Sequence, residues 1–194
     1  MTRHGDVRQK ILDAAEQRLW HYGFKKTTID EIASDAGVGK GTVYLYFDGK
    51  EDIGLAIVAN YKETSLREIE AIAGEAGKTP VQKLKEMLQH PVVVAHQKCQ
   101  ASPAMLEMIV AIKPHIRAHI QPFTEREYAL LAQVLDEGNA TGVFDVEEPL
   151  RAARTLKSMT NGFLPPSLSE VSAQEIMADI SEIVDLTVRG LRKQ

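Results

Sequence analysis

The chain has 194 residues, of which 44% are hydrophobic and 26% charged, with a formal net charge of −4 and a single cysteine, Cys99. This apolar content excludes a disordered protein, the length allows two fused compact units, and a lone cysteine excludes an internal disulfide and fits a reducing compartment. No run of about eighteen uncharged apolar residues occurs, and the opening Met-Thr-Arg-His-Gly-Asp carries no apolar signal segment, so a cytoplasmic protein without membrane contact is expected.

Apolar residues at helical spacing predict a first helix over about Arg8–Tyr22, with Ile11, Ala14, Ala15, Leu19 and Tyr22 on one stripe and Trp20 beside it. Thr28, followed three residues later by Glu31, forms a capping box that predicts the start of a second helix. Ile29, Ile32, Ala33 and Ala36 give that helix an apolar face. Gly37 falls where a helix end calls for a left-handed residue, and Gly39 offers a second permissive position before Lys40. Another helix follows to Phe47. Within it Val43 and Phe47, four apart, bury together, which leaves Lys40, Thr42, Leu45 and Tyr46 facing away and Tyr44 on the flank. Two helices of about two turns each across a tight glycine turn match the helix-turn-helix, whose second helix lies in the major groove of DNA.

The outward residues suit that surface. Lys40 is placed to neutralise a phosphate or reach guanine, against the plainer reading of a surface lysine. Gly41 lets a phosphate or base edge approach the backbone, and the hydroxyl and methyl of Thr42 suit a phosphate or a thymine methyl. Tyr44 reads as a phosphate contact ahead of a boundary aromatic; Tyr46 divides evenly between the two. Leu45 is either a thymine-methyl contact or an ordinary exposed leucine. Lys50, just before the next helix, is placed to meet a phosphate together with that helix's first amides.

The fourth helix begins near Glu51 and Asp52, acids suited to a helix N-terminus, and runs to about Ala73, roughly 34 Å. Gly74 to Pro80 is a breaker cluster. Beyond it no segment alternates as a strand would, and helices are expected over Val81–Val94, Pro103–Lys113, Pro114–Glu137 with a kink at Pro122, Glu148–Leu164 and Ala173–Arg192. Gly162 and Pro165-Pro166 end the eighth helix. Ile176, Ile180, Ile183, Val184, Thr187 and Leu191 sit at core spacing in the last, while Ala152, Ala153, Ser158 and Gly162 allow close approach to the eighth.

Residues 1–50 carry eight Lys or Arg against seven Asp or Glu, a net of +1, so the acidic excess lies in the rest of the chain. DNA binding by so weakly charged a region relies on placed contacts and on dimerisation. Met87, Met105, Met108, Ile112, Ile116, Phe123, Met159 and Phe163 could line a cavity for a flexible hydrophobic molecule, against the plainer reading of a core. His115 and His119 stand four apart, with His96 or Cys99 as further ligands, but no second paired motif accompanies them, so no metal is expected; Cys99 reads as a small buried hydrophobe ahead of a redox sensor. No cofactor is expected either. Neither the Gly74–Thr79 segment nor Gly37–Gly41 has the spacing of a phosphate or dinucleotide loop, and no nucleophile elbow or zinc-protease pair occurs, which argues against an enzyme. A helical dimeric scaffold is the alternative, and it leaves Lys40, Tyr44 and Lys50 unexplained.

Residues 3–61 resemble the DNA-binding domain of the TetR/AcrR family of bacterial transcriptional regulators. The resemblance rests on Tyr22-Gly23-Phe24, on Thr27-Thr28-Ile29-Asp30-Glu31-Ile32-Ala33, on Gly37 through Phe47 and on Lys50-Glu51. It implies an all-α protein with an N-terminal helix-turn-helix domain, residues 3–61, joined by the long fourth helix to a helical regulatory domain, residues 62–194. It further implies that Thr28, Gly39, Lys40, Gly41, Thr42, Tyr44, Tyr46 and Lys50 occupy the DNA-contacting positions. By the same resemblance the Gly138–Phe144 turn is similar to the loop after the family's seventh helix. The last two helices would form a homodimer on a palindromic double-stranded operator, and an unidentified small-molecule effector would release it, making the protein a repressor; an activator of the same family is the other reading. Asp48 departs from the family pattern, since its charge repels phosphate, and is expected to cap the next helix instead.

Overall fold

The computed structural model describes residues 3–164 and 171–191, and among them every regular element is helical. In chain order these are α1 (Arg3–Tyr22), α2 (Ile29–Asp35), α3 (Lys40–Tyr44), α4 (Lys50–Ala73), α5 (Pro80–Ala101), α6 (Pro103–Ala140), α7 (Pro149–Thr160), a 3-10 turn (Asn161–Phe163) and α8 (Ala173–Leu191). By packing, the chain divides into two compact units: Met1–Tyr61 with Lys98–Ile120, and Lys62–Gln97 with Gln121–Gln194. The assignment of 98–120 to the first unit has no counterpart in the sequence pattern, because apolar periodicity does not say which core a helix joins.

The first unit is built around α1. Ile11, Ala15 and Leu19 are buried as their stripe predicts, but Tyr22 is 59% exposed, with the Arg18 guanidinium over its ring at 4.9 Å. The stripe ends early because Gly23 takes a φ of +86° and turns the chain away. Ile32, Val43, Phe47 and Ile53 close the core from α2, α3, the segment after it and α4, while Met105, Met108 and Ile112 of α6 fill its remaining side.

The second unit has its own core. Ile69, Leu84, Met87, Leu88, Leu131, Leu135, Leu156, Ile176, Ile180 and Val184 are buried there from α4, α5, α6, α7 and α8. Ile183 and Thr187 are half-buried where the sequence placed them in the core, and Val188 is buried instead. The side chain of Leu191, together with Arg192 and Pro165-Pro166, lies outside the described residues. Helix starts are capped: Thr79 exchanges hydrogen bonds with Gln82 ahead of α5, and Ser172 does so with Glu175 ahead of α8.

One expected break is absent. Pro114 does not separate two helices; α6 runs from Pro103 through Pro114 and Pro122 to Ala140. α5 likewise passes through Pro91, well beyond Val94. A proline removes one ladder donor, and burial of apolar residues on either side, Met108 and Ile112 in one core and Leu131 and Leu135 in the other, outweighs that local loss in α6.

Gly138 near the end of α6 lies under the ring of Phe144, which is only 3% exposed, and its carbonyl accepts the amides of Val143 and Phe144 at 2.8 and 3.1 Å. A Cβ at this position would fall inside the ring. Gly138→Ala is therefore expected to destabilise the fold by about 1–3 kcal/mol, as overpacking does. Gly77→Ala, which meets open space, serves as the control. Denaturant unfolding checks this, and equal midpoints for the two variants would contradict it.

Candidate nucleic-acid interface

The helix-turn-helix is assembled from local signals. At the start of α2, Thr28 Oγ1 accepts from Glu31 N at 3.4 Å while the Glu31 carboxylate accepts from Thr28 N at 2.9 Å, the two halves of the capping box. After α2 the chain reverses at Gly37, whose φ of +67° is the left-handed conformation expected there. Gly39 is different: at φ −74° and ψ 150° it is an extended N-cap that any residue adopts, so a need for backbone freedom does not explain it. α3 itself has five residues, ending before Leu45 rather than reaching Phe47.

Val43 is fully buried and Phe47 is 3% exposed, so the two inward residues act as the pattern requires. The opposite face is open. Leu45 is 82% exposed and Tyr44 50%, and Thr28, Gly39, Lys40 and Gly41 are all exposed, with Thr42 half-buried beside them. Tyr46 is half-buried against the core, which favours its packing role.

The cations around this face are engaged. Lys40 pairs with Asp30 at 2.8 Å across the turn, and that hydrogen bond raises the pKa of its ammonium. Lys50, the first residue of α4, donates to the carbonyls of Phe24 at 2.6 Å, Thr27 at 3.0 Å and Lys25 at 3.5 Å, and lies over the Phe24 ring at 4.5 Å. Its donors are thus directed into the loop before α2 rather than outward. At the start of α4 the amide of Asp48 donates to the Asp52 carboxylate at 3.1 Å, so the contact there runs from the Asp48 backbone.

Two groups that sequence spacing did not reveal hold the helix-turn-helix together. Arg18 of α1 pairs with Glu31 at 2.7 Å and Asp35 at 2.6 Å, tying both ends of α2 to α1. Glu107 of α6 accepts from the amides of Phe24 at 2.8 Å and Lys25 at 3.3 Å. No i+3 or i+4 signal marks either contact, since the partners are far apart in the chain.

The eight candidate ligand residues do not converge. Met105, Met108, Ile112 and Ile116 belong to the first unit's core, whereas Met87 and Phe163 belong to the second's. Met159 is 45% exposed, and Phe123 is half-buried. The second unit also holds a charged trio: the buried Glu127, 1% exposed, meets the half-buried Lys62 at 3.0 Å and the buried Lys157 at 2.8 Å. Burial would raise the Glu127 carboxyl, but the two lysines hold it below 4.5; burial also pushes Lys157 down from 10.5 against the pull of Glu127.

His115 and His119 are exposed and border an open groove of about 430 Å³ with Asp48, Glu51 and Asp52. Among the described residues no group of three or more potential ligands is arranged to hold a metal. Cys99 is half-buried against the first core, where burial raises its thiol pKa and so disfavours the reactive thiolate. No described helix is long and apolar enough to cross a membrane.

The family model for bacterial regulatory proteins of the tetR family matches residues 11–57, and that for the tetracyclin repressor-like C-terminal domain matches residues 80–184. The chain is 24% identical over 200 residues to the probable HTH-type transcriptional regulator ArpR of Pseudomonas putida, covering 96% of this chain and 92% of that protein. Its fold is similar to that of a solved TetR-family regulator from Mesorhizobium loti, with a TM-score of 0.74, 20% identity and full coverage of both chains. It is similar also to FadR of Bacillus subtilis, solved with stearoyl-CoA, at a TM-score of 0.63 and 20% identity over 95% of this chain and 99% of that one.

The Arg18 hydrogen bond and then the Thr28 contacts hold the Glu31 carboxyl at about 2, down from 4.5. Its folded pKa is depressed, so the stability it contributes is fully present above 4.5 and is lost as pH falls towards 2, where the unfolded chain takes up the proton first. Glu31→Gln is expected to unfold with a weaker pH dependence than the parent below about pH 5. Thermal unfolding across that window checks it, and identical slopes for the two proteins would contradict the linkage.

Proposed function

Because the chain belongs to the tetR family of bacterial regulatory proteins and is a DNA-binding transcriptional regulator, we propose that it is a repressor that holds a palindromic operator as a homodimer and releases it on binding a small-molecule effector. In this reading residues 3–61 form the DNA-binding domain and residues 62–194 the regulatory one. Thr28, Gly39, Lys40, Gly41, Thr42 and Tyr44 face DNA. Tyr46 and Lys50 join them at the edge, with Tyr46 packed against the core and Lys50 bonded into the loop before α2.

The observation that carries the reading is the exposed face of α3, polar, aromatic and cationic, held out from the core by Val43 and Phe47. An exposed Leu45 on the same face, at 82%, suits a thymine methyl. Dimerisation through α7 and α8 is supported by Leu150, Met159, Met177 and Leu186, large apolar residues that stay exposed on those two helices. Beside Met159 lies an open groove of about 370 Å³ lined by Ala152, Thr155, Leu156 and Thr187 together with the charged Asp145, Glu147, Glu148 and Arg151. Two-fold pairing of this face would place two recognition helices on two half-sites. The effector in this reading is a molecule with a flexible apolar portion, taken by the regulatory domain; the acyl chain of the stearoyl-CoA bound to the FadR fold is such a portion. Cytoplasmic localisation and the absence of catalysis belong to the same proposal.

The test is a salt-dependent gel-shift titration on an operator located by footprinting the DNA that adjoins the protein's own gene. Lys40→Ala is expected to reduce the salt slope by about one phosphate contact, and Tyr44→Phe to weaken specific binding several-fold. Asp30→Asn releases Lys40 from its 2.8 Å pair and is expected to tighten binding and steepen the slope. Binding indistinguishable from the parent in all three variants would overturn the assignment of α3 as the reader.

A further inference from the structure

The loop between α1 and α2 is gripped from two sides by residues distant in sequence. From α4, the Lys50 ammonium collects the carbonyls of Phe24, Lys25 and Thr27. From α6, the Glu107 carboxylate collects the amides of Phe24 and Lys25, and it also stands 3.7 Å from the Lys25 ammonium. The two grips divide the backbone by polarity: the cation takes acceptors and the anion takes donors, so each satisfies groups that the other cannot. Gly23 opens the space for this. A Cβ there would meet Glu107 Oε2 at 3.2 Å, on a residue already held at φ +86°.

Glu107 is itself rigidly seated. Met105 and Met108 beside it are buried at 6% and 1%, and α6 lies so close to α4 that a Cβ on Gly54 would meet both Met108 and Ile112 at 3.2 Å. The loop it holds leads directly into Thr28, the cap of α2, and α2 with its Gly37 turn sets the direction of α3. α6 is a single helix from Pro103 to Ala140, whose residues from Gln121 onward belong to the other compact unit.

We propose that Glu107 is a positioning residue for DNA recognition: through the Phe24 and Lys25 amides, and against the opposing Lys50, it fixes the loop that orients α2 and α3, and so makes the set of the reading head depend on α6. It touches no DNA. The inference rests on the reading of α3 as the recognition helix, and its failure is separable from the failure of that reading, because Lys40→Ala and Tyr44→Phe test the reader without touching the grip.

The sign of the effect tells this apart from a surface acid. Removing a carboxylate that merely repels phosphate strengthens DNA binding. Removing one that positions the reader weakens it, and only on the correct sequence. In the full-length protein, Glu107→Ala is expected to lower affinity for the footprinted operator by about tenfold or more, the scale of a lost charge-assisted hydrogen bond. Affinity for a scrambled duplex should hold or rise, and the salt slope should not fall. Glu107→Gln, which keeps an acceptor oxygen, should restore most of the specific affinity. Amide exchange at Phe24 and Lys25 should quicken at least about tenfold in Glu107→Ala, and by less in Glu107→Gln, while the buried amides of α1 keep their protection. Operator affinity equal to or above the parent's in Glu107→Ala, equal losses on operator and scrambled DNA, or unchanged exchange at both amides would each overturn the proposal.

Discussion

A helix of five residues cannot hold its own shape in water. Nucleation fixes several residues for each hydrogen bond gained, and isolated helices shorter than about twelve residues are marginal even in favourable sequences. α3, Lys40–Tyr44, is therefore defined by what it packs against. Val43 and Phe47 enter the core formed by Ile11, Leu19, Ile32 and Ile53, each contributing about 1.5–3 kcal/mol by burial. The outward direction of Lys40, Thr42, Tyr44 and Leu45 follows from that anchoring. The anchor sets the direction that the outward residues take.

Electrostatics around the helix-turn-helix serves its internal order. Arg18 is shared between Glu31 and Asp35, Lys40 pairs with Asp30, and Lys50 is bonded to three loop carbonyls. With a net of only +1 over residues 1–50, the field that draws DNA in is weak. Specific binding by so weakly charged a surface depends on the alignment of placed contacts more than on net charge.

What the sequence made legible was local. The Thr28–Glu31 box, the left-handed Gly37 and the Val43–Phe47 pair are patterns of three or four residues, and each stands in the structure where the pattern puts it. Local rules also misled where packing overrode them. Pro114 reads as a break, yet α6 passes through it because its two halves are anchored in two cores. Tyr22 completes a helical stripe on paper, but the turn at Gly23 leaves it exposed. Met87 and Met108 look alike as apolar helix residues, and nothing in their spacing says that they belong to different cores. Long-range contacts were invisible altogether: Glu107 meets Phe24 across the chain, and Glu127 meets both Lys62 and Lys157 in the interior of the other unit.

In the function proposed above, a pair of such helix-turn-helix units, each aimed by the packing of Val43 and Phe47, recognises a two-fold symmetric sequence. Selection of bound duplexes from a random pool by the 194-residue protein decides the matter. An inverted repeat whose half-sites are centred about 34 Å apart, or a multiple of it, along the duplex is expected to be enriched. Enrichment of a motif without two-fold symmetry, or no enrichment over the starting pool, would rule such recognition out.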